Sequence, residues 1–273
     1  MKEFKIRKPA VAGQFYSSSS QGLKNQIEAL IDKNSKKTDV IACMLPHAGY
    51  MYSGRVAGET VSCINIKDKV ILLGPNHTGY GTAFSIMTQG LWQTPLGEVR
   101  IDSELANKIL NKSKNLEDDS LAHMYEHSLE VELPFLQYFK ENFEIVPIAF
   151  LSDNIEQLKE VGEEIASVLK DSDNKNSTML LASSDMTHYE SQADAENKDK
   201  EAIDAILELN EDRLMEKIKR LDISMCGYAP VIVMLKAAKI LGAKTANLVK
   251  YQTSADVTGD RNSVVGYAGI IIY

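Results

Sequence analysis

Val70-Ile-Leu-Leu-Gly-Pro-Asn-His-Thr-Gly79 reads as a buried strand that ends abruptly at Gly74-Pro75 and presents His77 at its carboxyl end. Four consecutive apolar residues bounded by turn formers suit a strand covered on both faces. Two other stretches repeat the layout. Val40 to Leu45 runs into Pro46-His47-Ala48-Gly49, and Thr178 to Ser184 runs into Asp185-Met-Thr-His188. Open α/β sheets hold their ligands in the crevice outside the carboxyl ends of the strands, so three such histidines are expected to meet there.

The segments between these strands alternate helix and strand patterns. Leu23, Ile27, Leu30 and Ile31 predict a surface helix over residues 21–33, entered through Ser17 to Ser20. Leu105, Ile109 and Leu110 predict another over 102–112, and 128–140 a third that Pro134 must kink or split. Phe143 to Leu151 reads as a strand in which Pro147 points to an edge or a bulge. Asp153 is the expected N-cap of a helix carrying Ile155, Leu158, Val161, Ile165, Val168 and Leu169. Short strands are expected over 80–101. Helices follow over 194–209, 211–220 and from Tyr228 to Leu241, and closing strands run from Thr245 to Thr253 and Val264 to Tyr273. Residues 8–16 have no helical period and read as an ordered arm. The sum predicts an α/β fold, a three-layer α/β/α sandwich around a mixed β-sheet, built as a single domain over residues 1–273.

Composition narrows the functional classes. The 273 residues are 44% hydrophobic and 25% charged, as in an ordinary globular protein. A formal charge of −8 without a dense Lys/Arg run argues against nucleic acid or an anionic membrane as partner. Met1 to Lys8 lacks the apolar core of a signal peptide, and the expected compartment is the cytoplasm. Cys43, Cys63 and Cys226 are too few and too scattered for a disulfide framework.

Any one of His47, His77 and His188 alone is as well explained by backbone capping as by ligation, but three in equivalent positions point to a metal. Cys226 is the natural third ligand to His47 and His77. It precedes the helix starting at Tyr228, where the dipole and free N–H groups favour a thiolate, although an average cysteine is a small buried hydrophobe. Cys43 and Cys63 fit that second description. Two imidazoles and a thiolate suit Fe(II), Cu or Zn and disfavour Mg or Ca. A closed blue-copper site with Met225 as axial ligand uses the same set, but the Gly-rich loops point to an open position. Asp185, three residues before His188, is placed to orient its imidazole or share a substrate proton, or else to serve as an N-cap beside a fourth ligand. His127 opens a helix and either faces the same pocket or merely caps it. His123 with His127 makes a His-x3-His pair that no clear helix spans and that lacks the metalloprotease Glu.

Arg7-Lys-Pro-Ala-Val-Ala-Gly-Gln-Phe-Tyr16, Pro46-His-Ala-Gly-Tyr-Met-Tyr-Ser-Gly54, Leu73-Gly-Pro-Asn-His-Thr-Gly79, Glu126-His-Ser-Leu-Glu130, Ser184-Asp-Met-Thr-His188 and Val264-Val-Gly-Tyr-Ala268, in this order, resemble the Memo family. One departure is Ser17, where members often carry Pro, and it concerns only the arm. The resemblance implies a LigB-like fold, similar to the catalytic subunits of class III extradiol ring-cleavage dioxygenases, which hold nonheme iron through two His and a Glu. Carried over by position, it implies His47 and His77 as imidazole ligands and Cys226 in place of the carboxylate. His188 would then be the acid/base histidine and His127 another pocket histidine. Exchanging a carboxylate for a thiolate favours Cu or other thiophilic metals, so catechol cleavage does not follow from fold kinship.

Three functions are therefore expected in competition. One is a metal-dependent oxidoreductase acting on a small molecule, with His188, Asp185 and His127 moving protons. The second is a binding module for peptides, since the eukaryotic Memo protein is an adaptor in receptor-driven cell motility that binds phosphotyrosine peptides. Against it, Arg55, Lys250 and Arg261 are isolated rather than clustered for phosphate. The third, implied by microbial members, is service beside a radical-SAM protein.

Overall fold

The computed structural model describes residues 6–171 and 175–273. Its centre is a parallel set of strands: β2 (Ala42–Leu45), β3 (Lys69–Pro75), β8 (Glu144–Phe150) and β9 (Thr178–Ser183). Almost every residue of these strands is buried, as continuous apolar runs require when both faces are covered. β9 lies between β3 and β2, with Leu45 level with Ser183 and Leu73 level with Ala182. Among the described residues the sheet has twelve strands. β1 (Ile6–Arg7), β5 (Leu91–Thr94) and β6 (Gly97–Ile101) extend it beyond β8, and β4 (Phe84–Ile86) joins β8 to β7 (Glu117–Asp118). On the other side β12 (Val264–Ile272) runs antiparallel to β2, to β10 (His188–Glu190) and to the edge strand β11 (Ala246–Thr253), so the sheet is mixed.

Helices cover this sheet on both faces. The helices are α1 (Ser20–Glu28), α2 (Gly54–Ser62), α3 (Ser103–Lys112), α4 (Leu121–Met124), α5 (Leu133–Phe139), α6 (Ile155–Lys170), α7 (Gln192–Leu207), α8 (Glu211–Leu221), α9 (Tyr228–Leu241) and α10 (Ala255–Thr258). α9 is apolar nearly all round because it packs on β2, β3, β8 and β9 and is itself covered by α6 and α8. α2 packs with α5 against the β2 and β12 side. No helix among the described residues is long and apolar enough to cross a membrane.

Three local expectations are corrected. The helix predicted to reach residue 33 stops at Glu28, where the chain turns across α2: the Arg55 guanidinium donates to Ala29 O at 3.3 Å, and Asp32 N–H donates to Ser62 Oγ at 3.1 Å. The N-cap of α6 is Asn154 rather than Asp153, accepting from the N–H of Glu156 and Gln157 at 3.2 Å each. Pro147 lies in a central strand, not at an edge. On the side away from β3, β6 pairs only with Glu144 and Ile145 and β4 only with Ile148 to Phe150, so the proline falls in the gap between two partners. Pro134 behaves as expected: a 3-10 turn at Glu130–Glu132 precedes α5, which takes the proline in its first turn.

The arm of residues 8–16 is anchored on Glu130, which is fully buried. Its carboxylate pairs with the Arg7 guanidinium and accepts from Ala10 N–H at 2.7 Å, Val11 N–H at 3.1 Å and the Tyr16 hydroxyl. Arg7 also donates to His123 O and Glu126 O and lies 4.5 Å above the Trp92 ring.

Candidate metal centre

Equal offsets beyond paired strand ends bring the first residues together. His47 follows Leu45 by two positions and Asp185 follows Ser183 by two, and His47 N–H donates to Asp185 Oδ1 at 2.8 Å. His77 enters from the end of β3, its ring centroid 5.1 Å from that of His47. Cys226 arrives at the amino end of α9, where Asp185 N–H donates to its sulfur at 3.3 Å. That approach requires glycine next: a Cβ at Gly227 would collide with Ser183 O and with Ser184. The ligand atoms of His47, His77 and Cys226 all lie within 4.8 Å of one another, and Cys226 Sγ is 3.2 Å from His47 Nε2.

The outer ring nitrogens are already engaged. His77 Nδ1 donates to Glu126 Oε1 at 2.9 Å, and the backbone N–H groups of His77 and Ser128 donate to the same carboxylate. His47 Nδ1 contacts Ser183 Oγ at 2.7 Å. Protons on both Nδ1 atoms leave both Nε2 lone pairs for a cation, the arrangement that metal-binding histidines adopt. The donor set and its outer partners therefore fit a transition metal. His77, Glu126 and His127 form a second close group. Glu126 is poorly suited to ligation there because three N–H donors occupy its oxygens.

Electrostatics act on the same groups. Burial and the nearby Asp185 push the Cys226 thiol up, against the N–H donors that reach its sulfur. Burial and the neighbouring imidazoles hold His47 far below the ordinary histidine value, in its neutral form. Burial pushes Asp185 up to about 6 against the pull of the His47 N–H. Burial also opposes ionisation of Glu126, but the His77 hydrogen bond and the surrounding imidazoles win and hold it at about 2.

His47, His77 and Asp185 line a cavity of about 830 Å³ with His127, His188, Phe15 and Tyr189. The His127 ring stacks 4.7 Å from that of His77 and meets the Phe15 edge at 4.9 Å. His188 reaches the cavity from β10, and its ring is held by Ser224 rather than by Asp185: its Nδ1 donates to Ser224 O at 2.9 Å. Tyr189 has a left-handed backbone, φ 59°, at the irregularity in the β10–β12 pairing, and its ring is 78% exposed at the cavity mouth.

His123 is not part of the site. It is fully buried with its ring 5.9 Å from Trp92. Burial, aided by the Arg7 charge, lowers it to about 4 from the ordinary 6.5. Because the folded value lies below the unfolded one, its contribution is present above pH 6.5 and is lost as pH falls toward 4. The loss should be about 3 kcal/mol, and His123→Leu is expected to flatten urea-unfolding stability across that window. An unchanged pH slope in the variant would refute the assignment.

Sequence reasoning missed Glu126, Ser183 and Glu132, which stand behind the imidazoles. The available signal was three acids, Glu126, Glu130 and Glu132, leading into the apolar run Leu133 to Leu136, since unpaired acids do not bury.

The sequence and fold have relatives. A family model described as Memo-like protein matches residues 7–271. A MEMO1 family protein of Methanopyrus kandleri is 42% identical, with 97% of this chain and 98% of the relative covered. One of Aquifex aeolicus is 43% identical, with 98% and 99% covered. The crystal structure of an uncharacterized protein from Escherichia coli K12 superposes with a TM-score of 0.60 at 14% identity, over 84% of this chain and 98% of that one, a likeness of fold alone. The match over nearly the whole chain and the level of identity make this protein a member of the Memo-like family.

Proposed function

We propose that this protein is a metal-dependent oxidoreductase, one domain over residues 1–273, in which His47, His77 and Cys226 hold Fe(II) or Cu, with Zn as the alternative. The observation that carries the reading is the set of three ligand atoms within 4.8 Å of one another, two of them on histidines that line an open cavity. A bound metal would supply Lewis acidity and, if Fe or Cu, one-electron chemistry.

The protein's own groups supply the rest. Cys226 must release its thiol proton to ligate, so loading is expected to be pH-dependent. His188, with Nδ1 fixed by Ser224 O, presents Nε2 as the acid or base for a ligand in the cavity. Asp185, poised near 6, can hold or give up a proton close to neutrality. His127 and Phe15 form part of the cavity wall beside His77. Among the described residues the lining contains no lysine or arginine, which disfavours a phosphotyrosine-peptide site here.

The test is metal analysis of anaerobically purified protein after reconstitution with Fe(II), Cu(I) or Zn(II). Wild type is expected to retain one equivalent, and His77→Ala and Cys226→Ser to lose it. No retained metal, or equal retention by the variants, would sink the proposal. A catechol panel watched for coloured ring-opened product then tests the dioxygenase chemistry of the related fold.

A further inference from the structure

The hydroxyl of Ser183 touches three polar atoms at hydrogen-bonding distance. His47 Nδ1 is at 2.7 Å, Ser128 O at 2.7 Å and Glu132 Oε1 at 2.9 Å. All four residues except the rim of His47 are fully buried, so water cannot take up an unmade bond. A serine hydroxyl has one proton to give and two lone pairs to receive. A carbonyl can only accept, so the single Ser183 proton goes to Ser128 O. The other two contacts must then donate to Ser183: His47 through Nδ1–H, and Glu132 through a carboxylic O–H. If the proton went to an ionised Glu132 instead, Ser128 O would face the hydroxyl oxygen at 2.7 Å with no hydrogen between them.

We propose that Glu132 is a neutral carboxylic acid and a positioning residue, which through Ser183 fixes the Nδ1–H tautomer of His47 and so aims its Nε2 lone pair at the cation position. The placement agrees with the environment, since burial raises the Glu132 carboxyl well above the ordinary carboxylate range. It also differs in kind from the support behind His77. There an ionised Glu126 accepts directly from Nδ1, whereas behind His47 an uncharged acid works through a hydroxyl. One imidazole is thus backed by a negative charge and made the more basic ligand, and the other is backed by neutral groups. Its role in ligation rests on the proposed function, but the protonation pattern does not.

Infrared difference spectra of the metal-free protein at mildly alkaline pH test the pattern directly. Wild type minus Glu132→Gln is expected to contain the carbonyl stretch of a protonated carboxylic acid, sensitive to deuteration. Absence of that band overturns the proposal. The positioning role is read from metal affinity. Ser183→Ala and Glu132→Ala are expected to weaken binding about 10–100-fold, and Glu132→Gln, whose amide can donate to Ser183, is expected to restore it. If Glu132→Gln binds as poorly as Glu132→Ala, the donor role is wrong. Should Glu132→Ala fail to fold, Ser183→Ala and Glu132→Gln still decide the matter. A wild-type protein that shows the band but retains no metal would overturn the proposed function and support the protonation pattern.

Discussion

Glu130→Ala is expected to lower unfolding stability by about 3–5 kcal/mol, the cost of leaving one member of a buried ion pair without the other. The Arg7 side chain is 3% exposed and that of Glu130 fully enclosed, so no solvent compensates the stranded guanidinium. Ala10 N–H, Val11 N–H and the Tyr16 hydroxyl lose the same acceptor. The effect should therefore extend beyond the pair and release the arm, which carries Phe15 into the cavity wall. Urea unfolding gives the energy, and limited proteolysis near residues 8–16 gives the release. A loss under about 1 kcal/mol with an uncut arm would show that the pair is not the anchor, since that is the range of an exposed pair.

Glu126→Gln carries the second large effect, weaker metal binding by about 10–100-fold, because an amide cannot accept from His77 N–H, His77 Nδ1 and Ser128 N–H together. The same substitution should change acid stability. The folded carboxyl sits at about 2, below the ordinary 4.5. Its contribution is thus present above pH 4.5 and disappears as pH falls toward 2. Metal-free wild type should lose stability through that window more steeply than Glu126→Gln. Competition titration against a chelator of known affinity measures the first effect, and unchanged affinity would remove Glu126 from the centre.

The fold was legible where burial dictates pattern. Ile71, Leu72, Leu73, Leu180 and Leu181 lie in strands covered on both faces, and the Tyr228–Leu241 helix has the bounds its periodicity predicts. Where tertiary context overrides local preference the reading failed. Pro147 read as an edge or bulge residue because no sequence rule reveals that two partner strands leave a gap at that height. Asp153 and Asn154 are both good caps, and only the entry of the chain selects the second. Of the site, the expected grouping of His47, His77 and Cys226 matches the geometry, since strand-end histidines are visible in sequence. Glu126 and Glu132 stand out in sequence as closely spaced acids, but that they and Ser183 back the imidazoles follows only from contacts between distant segments. The helix start before α9 does bring N–H groups to Cys226, but burial and the neighbouring Asp185 act against them on the metal-free thiol.

β2 is made well before either of its neighbours. One side pairs with Leu180 to Ser183 and the other with Ile270 to Ile272. At about 5–20 residues per second, Ala42 to Leu45 must wait many seconds for the first partner and longer for the second. During that interval an apolar strand with two open edges is exposed to other chains, the circumstance in which nascent proteins need shelter. His47 shares the wait, and Cys226 is made only after β9. The three candidate ligand atoms can therefore come together only after Cys226 has been made, 179 residues beyond His47.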